Sequence, residues 1–162
     1  MKLVTSSLFT KLLHQYSTRT QTIGTGTVSP TYIDTGAPAS STVTDAAIQA
    51  ELLRLINSGA VPAPTSTFKT NNNLYMFHFP PGVAINDAGY YSCKYFCAYH
   101  GTMVATSGST KYYIYYGVIP DLGGACQGGC GPYSVCNVSS SLPLFSKTLF
   151  LQTRNQEHLF SE

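Results

Sequence analysis

The sequence predicts an α+β fold, with helices packed on a small mixed sheet, and three segments carry this prediction. Residues 45–57 place apolar side chains at helical spacing. Residues 74–79 and 111–119 are short, apolar, aromatic runs, which is typical of strands. A chain of 162 residues is long enough for one compact core, so we expect one domain.

The helix over residues 45–57 has clear start and stop signals. Thr44 is a suitable N-cap, and Asp45 favours the positive end of the helix dipole. The segment Asn57-Ser58-Gly59, followed by Pro62, predicts the end of the helix. One apolar stripe should face the sheet: Ile48, Leu52, Leu55 and Ile56. A shorter amphipathic helix is expected within residues 5–16.

The two predicted strands differ in how their apolar residues are distributed over the two faces. Residues 74–79 end at Pro80, and residues 111–119 end at Pro120. The second run is apolar on both faces, which predicts a central strand covered on both sides. The alternative is a solvent-facing platform of tyrosines on this strand that binds sugar.

The end of the chain differs in character from the rest. Residues 140–162 contain neither Gly nor Tyr. We expect a divergent tail here, with a loosely attached helix near 144–153 or, alternatively, disorder. The single domain then covers residues 1–139.

Composition excludes several classes of protein. Charged residues make up 10% of the chain and the formal net charge is +2, without the basic clusters of a nucleic-acid surface. No apolar run is long enough to span a membrane. Low charge with many Gly, Ser, Thr and Tyr residues favours a secreted or cell-surface protein. The N-terminal residues are a poor signal peptide, because Lys11 and His14 interrupt the apolar stretch.

Five cysteines support an oxidising compartment. Cys93 and Cys97 form one pair in sequence, Cys126 and Cys130 form another, and Cys136 stands alone. We expect two disulfides among the first four and a free Cys136, with three pairings possible. The sequon at Asn137 is a possible glycosylation site.

A structural zinc site is the alternative use of the same cysteines. Together with His100, the residues Cys93, Cys97, Cys126 and Cys130 supply enough soft ligands for tetrahedral zinc. Their spacing is unlike that of zinc knuckles, so we expect no metal and no other cofactor; free thiols are a third possibility.

The sequence predicts no enzyme. His78 lies within an apolar strand, which is typical of a core histidine. Nucleophile-elbow and metalloprotease motifs are missing, and the Gly-rich loop around Cys126 lacks the lysine of a phosphate-binding loop. The few acidic residues are spread over separate elements.

Four segments in order along residues 7–139 resemble the EXORDIUM-like, or phosphate-induced, family of secreted proteins. They are HQYSTRTQTIGTGT, NLYMFHFPPGVAI, CKYFCAYHGT and YYIYYGVIPDLGGACQGGCG. The resemblance implies a zincin-like version of the α+β fold and structural roles for Cys93, Cys97, Cys126 and Cys130. It also implies an apoplastic or otherwise extracellular location.

The chain departs from the family pattern after the Gly-Cys loop. Family members continue into a helix with a Ser-His-Glu-Leu-type motif, whereas this chain has only Glu157-His158, in reversed order. We therefore expect both ends to be incomplete relative to the family.

Two functions from different classes follow. The first is a non-catalytic extracellular or cell-wall-associated protein that binds an extracellular carbohydrate or protein. The second is a degenerate remnant of a zinc-dependent hydrolase that lacks its ligand helix, since such an enzyme needs three protein ligands and a base.

Overall fold

The structure is a computed structural model. It describes residues 12–19, 22–24, 26–28, 31–35, 41–64, 73–107, 110–122, 130 and 147–154. The helix is α1 (Asp45–Asn57), and the strands are β1 (Gly26–Val28), β2 (Tyr32–Asp34), β3 (Thr42–Thr44), β4 (Leu74–His78), β5 (Ala84–Asp87), β6 (Tyr90–Tyr91), β7 (Tyr99–Ser107), β8 (Thr110–Ile119) and β9 (Lys147–Arg154).

The described residues have an α+β fold with two sheets. The larger sheet has the strand order β1-β9-β4-β8-β7, and β2 also pairs with β9. In this sheet β4 and β8 are parallel, whereas β7 pairs with β8 and β9 pairs with β4 in antiparallel fashion. The smaller sheet has the order β3-β5-β6. The general class predicted from sequence is confirmed.

Helix α1 begins and ends where its sequence signals predict. The hydroxyl of Thr44 accepts a hydrogen bond from the N–H of Ala47 at 3.2 Å. At the other end Gly59 has a φ of +73°, which a glycine adopts without strain. The N–H groups of Gly59 and Ala60 then donate to the carbonyls of Ile56 and Leu55, and this pattern is a Schellman motif.

The core lies between α1 and one face of the larger sheet, here called the inner face. Tyr75 and Phe77 of β4 are buried there beside residues of β8, and the buried side of α1 packs in the same cluster. The hydroxyl of Tyr75 donates to the carbonyl oxygen of Pro62 at 2.8 Å. Burial raises the pKa of Tyr75 to about 12. The core residues on these elements are Ile48, Leu52, Leu55, Tyr75, Phe77, Ile114, Tyr116 and Val118.

Strand β8 is an inner strand, as predicted, because it lies between β4 and β7. Its two faces are covered unequally. Ile114, Tyr116 and Val118 are buried on the inner face, whereas Tyr113 and Tyr115 on the opposite face are half-buried. The prediction that this strand is covered on both sides therefore holds fully for the inner face and only partly for the opposite face, in the part of the chain that the structure describes. The tyrosine platform considered for this strand stays a prediction; its tyrosines are buried or half-buried.

The expected helix near residues 144–153 is wrong. Residues 147–154 form β9, which pairs with β4 on one side and with β1 and β2 on the other. Five residues of β4 face β9 in register, from Leu74 opposite Gln152 to His78 opposite Thr148. The partners that make this segment a strand lie at least 70 positions earlier, so the local sequence does not reveal them.

The helix expected within residues 5–16 is described only from residue 12 onward. There Leu13–Tyr16 form a 3-10 helix, whose last turn closes with a hydrogen bond from the N–H of Ser17 to the carbonyl of His14. Leu12, expected on the apolar face, is exposed.

Candidate functional site

The turn between β6 and β7 is held by disulfide bonds. Cys97 is joined to Cys130, 33 positions later, with the two Cα atoms 5.5 Å apart. Cys93 is disulfide-bonded as well, and its partner lies outside the described residues. Cys93 has a φ of +68°, and its N–H donates to the carbonyl of Phe96 at 2.9 Å. This segment therefore has one closed, cross-linked conformation.

Further contacts fix the turn to the core. The buried hydroxyl of Ser92 accepts a hydrogen bond from the N–H of Ile85 at 2.9 Å. The ring of Phe96 packs edge-to-face against Tyr99 at 5.3 Å, and Tyr99 packs in the same way against Tyr116 at 6.5 Å. One side of the turn is thus anchored by aromatic contacts that lead into the interior.

The other side of the turn carries exposed aromatic rings. Tyr90, Tyr91 and Tyr95, here called the tyrosine cluster, are 59%, 42% and 56% exposed. The rings of Tyr90 and Tyr95 are perpendicular, with centroids 5.4 Å apart. The ammonium of Lys94 lies 5.1 Å from the centroid of the Tyr95 ring. The packed, exposed rings of Tyr90 and Tyr95, with Tyr91 exposed next to Tyr90 in sequence, are a candidate binding surface.

The local sequence explains why these rings face solvent. Ala88 and Gly89 both have positive φ, which produces the tight hairpin turn that connects β5 to β6. The side-chain oxygen of Asn86 accepts from the N–H of Gly89 at 2.8 Å and closes the turn. Strand β6 has only two residues at the end of a three-stranded sheet. It therefore offers large side chains little surface to pack against.

A network of mostly half-buried polar groups lies beneath the turn. The carboxylate of Asp45 accepts hydrogen bonds from the hydroxyl of Tyr99 at 2.6 Å and from that of Tyr116 at 2.9 Å. The side-chain amide of Gln49 donates to Asp45 at 2.6 Å and to the Tyr116 hydroxyl at 3.0 Å. These four residues are here called the Asp45 network.

The network perturbs the titration of its tyrosines. Burial, reinforced by the hydrogen bond to Asp45, raises the pKa of Tyr116 to about 12 and moves the pKa of Tyr99 well above its usual value. Both phenols therefore stay protonated and donate to the carboxylate. Gly101, opposite Tyr116 in the sheet, makes room for this ring, because a Cβ there would lie 2.6 Å from the Tyr116 hydroxyl oxygen. The arrangement joins α1 to β7 and β8 and supports the anchored side of the turn.

The opposite face of the larger sheet has an open groove of about 480 Å³. Its floor lies at Gly117, where a Cβ would come within 2.6 Å of the Met76 sulfur. Leu74 and Tyr115 flank it, and His100 is on the edge strand at its rim. The lining is mostly apolar, with few polar groups to orient a ligand.

The structure brings together only part of the residue set singled out from the sequence. Cys93, Cys97 and Cys130 lie at the turn, whereas Cys126, Cys136 and Asn137 are outside the described residues. The prediction of disulfide bonding is confirmed by Cys97–Cys130.

The candidate metal ligands and the strand histidine are also placed. A disulfide leaves no thiolate on Cys97 or Cys130 for zinc. His100 is an exposed residue of β7. Among the described residues, no group of three or more His, Cys, Asp or Glu side chains could hold a metal ion. His78 is half-buried on β4, and burial lowers its pKa.

The sequence reasoning missed the tyrosine cluster and the Asp45 network. A signal for the cluster was present, because Tyr90, Tyr91 and Tyr95 flank Cys93 in a short turn after a hairpin signal. Large side chains on a two-residue strand and the short turn after it cannot all pack into the interior. No comparable signal exists for the network, since Asp45 is separated from its tyrosine partners by 54 and 71 positions.

No protein-family model, no curated protein and no solved structure matches the chain. Within the described part of the chain, no helix has the length and apolar character needed to cross a membrane.

Proposed function

We propose that this chain is a non-catalytic secreted or cell-surface protein of the EXORDIUM-like family, and that it binds extracellular carbohydrate through the tyrosine cluster. The observation that carries the proposal is the exposure of Tyr90, Tyr91 and Tyr95 on one disulfide-closed turn. A pyranose ring has a face of C–H groups that packs against an aromatic ring, while its hydroxyl groups stay in water. The perpendicular rings of Tyr90 and Tyr95 can contact such a ligand on two of its sides.

Preorganisation supports the same function. Binding a flexible sugar chain costs ordering entropy, so a surface that is already fixed loses less affinity. The disulfide at Cys97, the buried Ser92 and the packed ring of Phe96 hold the turn before any ligand arrives. The chain has a formal net charge of +2 without basic clusters, which disfavours nucleic acid as its ligand.

The family assignment rests on the four ordered segments. It implies the zincin-like version of the fold. A mixed sheet with a helix packed on one face is the supporting feature. Solving a full-length relative would test this assignment: a different strand order around the equivalents of β4 and β8 would contradict it.

The binding experiment uses the whole chain and a matched set of exposed tyrosines. Wild type, Tyr90→Ala, Tyr95→Ala and Tyr16→Ala are mixed with insoluble polysaccharides, and bound protein is measured after sedimentation. Tyr16 is the control because it is also exposed but lies on the N-terminal 3-10 helix, outside the cluster. We expect each cluster variant to bind at least about tenfold more weakly, corresponding to about 1.4 kcal/mol, and the control to bind as wild type does.

Two outcomes would contradict the binding proposal. One is that wild type sediments with no polysaccharide tested. The other is that Tyr95→Ala binds as well as wild type. Circular dichroism of each variant confirms that the fold is intact, so that lost binding is not lost structure.

Location and the lack of catalysis need separate tests. A C-terminally tagged chain expressed from its own gene should be recovered from the medium or the cell-wall fraction; recovery only inside the cell would contradict the proposed location. Peptidase assays on generic substrates should show no turnover above a blank, with or without added zinc. Cleavage that a chelator abolishes would favour the hydrolase alternative.

A further inference from the structure

We infer that the tyrosine cluster selects carbohydrate polymers that contain uronic acids, and that Lys94 is the residue that recognises their carboxylate. This inference rests on the proposed function and narrows its ligand class. The observation behind it is the position of Lys94 between Tyr91 and Tyr95, with its ammonium 5.1 Å from the Tyr95 ring centroid.

Backbone hydrogen bonds fix the position of the Lys94 main chain, from which the ammonium extends. The N–H groups of Lys94 and Tyr95 both donate to the carbonyl of Tyr91, at 3.3 Å and 3.0 Å. The Lys94 side chain is exposed, and its ammonium lies over the Tyr95 ring of the cluster. Its contact with the Tyr95 ring is weak at an exposed site, so the ammonium can turn toward a carboxylate on a bound sugar.

The surrounding charges leave Lys94 available. The ion pairs among the described residues involve Arg54, not Lys94. The carboxylate nearest to the cluster in register is Asp87, which is opposite Tyr90. Asp87 is half-buried and, like the other described residues, makes no ion pair with Lys94.

These features together describe a site for an acidic sugar. The aromatic rings supply an apolar surface for the C–H face of the sugar, and the ammonium supplies the complementary charge for a carboxylate at the ring's edge. A neutral polymer would use only the rings, so it should bind through the same tyrosines but more weakly. Charge complementarity should therefore make the acidic polymer bind more tightly than the neutral one.

The test compares two polymers with the same sugar backbone, one with carboxylates and one with neutral methyl esters: polygalacturonate and its fully methyl-esterified form. Retardation in affinity gel electrophoresis gives the dissociation constant for wild type, Lys94→Met and Lys111→Met. Lys111 is the control because it is an exposed lysine at the far end of β8. We expect wild type to bind polygalacturonate about two- to fivefold more tightly than the ester, the range for an exposed ion pair.

The lysine variants then show which residue causes the preference for polygalacturonate over the ester. Lys94→Met should bind both polymers with the affinity of wild type for the ester, and Lys111→Met should keep the full preference. Equal binding of the two polymers by wild type, or an unchanged preference in Lys94→Met, would overturn the inference. In either case, ester binding that Tyr95→Ala abolishes would leave the proposed function standing; binding of neither these polymers nor any insoluble polysaccharide would remove both.

Discussion

Removal of one hydroxyl from the Asp45 network should measurably destabilise the fold. Tyr116 is 3% exposed, and its hydroxyl both donates to Asp45 and accepts from Gln49. The substitution Tyr116→Phe keeps the ring in the space that Gly101 provides and deletes only these hydrogen bonds. It therefore leaves no cavity to complicate the result.

The contacts that remain set the size of the effect. Asp45 still accepts from Tyr99 at 2.6 Å, and Gln49 still donates to Asp45 at 2.6 Å, so both keep a partner. What is lost is mainly one buried hydrogen bond to a carboxylate. Such a bond contributes about 1.5–3 kcal/mol to the free energy of unfolding.

Urea unfolding followed by far-ultraviolet circular dichroism measures this loss, and it suits a chain without tryptophan. Tyr115→Phe is the matched control, because Tyr115 is on the same strand but half-buried on the other face. Its substitution should change the free energy of unfolding by less than about 0.5 kcal/mol. If the two variants unfold with free energies within about 0.5 kcal/mol of each other, the network does not stabilise the fold as argued here.

Three further predictions concern the cross-link, the tail and alkaline pH. The double variant Cys97→Ser/Cys130→Ser should lose about 4 kcal/mol in urea unfolding, because the disulfide closes a separation of 33 residues; a loss under about 1 kcal/mol would contradict this. Deleting residues 141–162 removes β9 and uncovers an edge of β4, so soluble monomer on size-exclusion chromatography should give way to aggregate; an unchanged monomer peak and melting temperature would show that β9 is dispensable. Because burial raises the pKa of Tyr75 and Tyr116 to about 12 from about 10, the unfolded state loses these protons first as pH rises; the free energy of unfolding should hold below pH of about 10 and fall between about 10 and 12, and a flat profile there would contradict it.

The local sequence determined the elements whose signals are local. Helix α1 has its cap residue, its apolar stripe and its glycine stop within 16 consecutive positions, from Thr44 to Gly59, and the structure reproduces all three. The aromatic runs of β4 and β8 are strands for a similar reason, because β-branched and aromatic residues ended by proline favour extended backbone.

Tertiary structure alone decided which strands are neighbours and which side chains meet. Strand β9 becomes a strand because β4 offers a paired edge, although its own residues are equally compatible with a short helix. Asp45, placed in sequence as a helix-dipole residue, becomes the acceptor for two distant tyrosines. The chain has many tyrosines, and their number does not show which of them are buried and which are exposed. Those of β8 are buried or half-buried because they lie inside a wide sheet. Tyr90 and Tyr91 are exposed because β6 ends a small sheet, and Tyr95 is exposed on the turn after it.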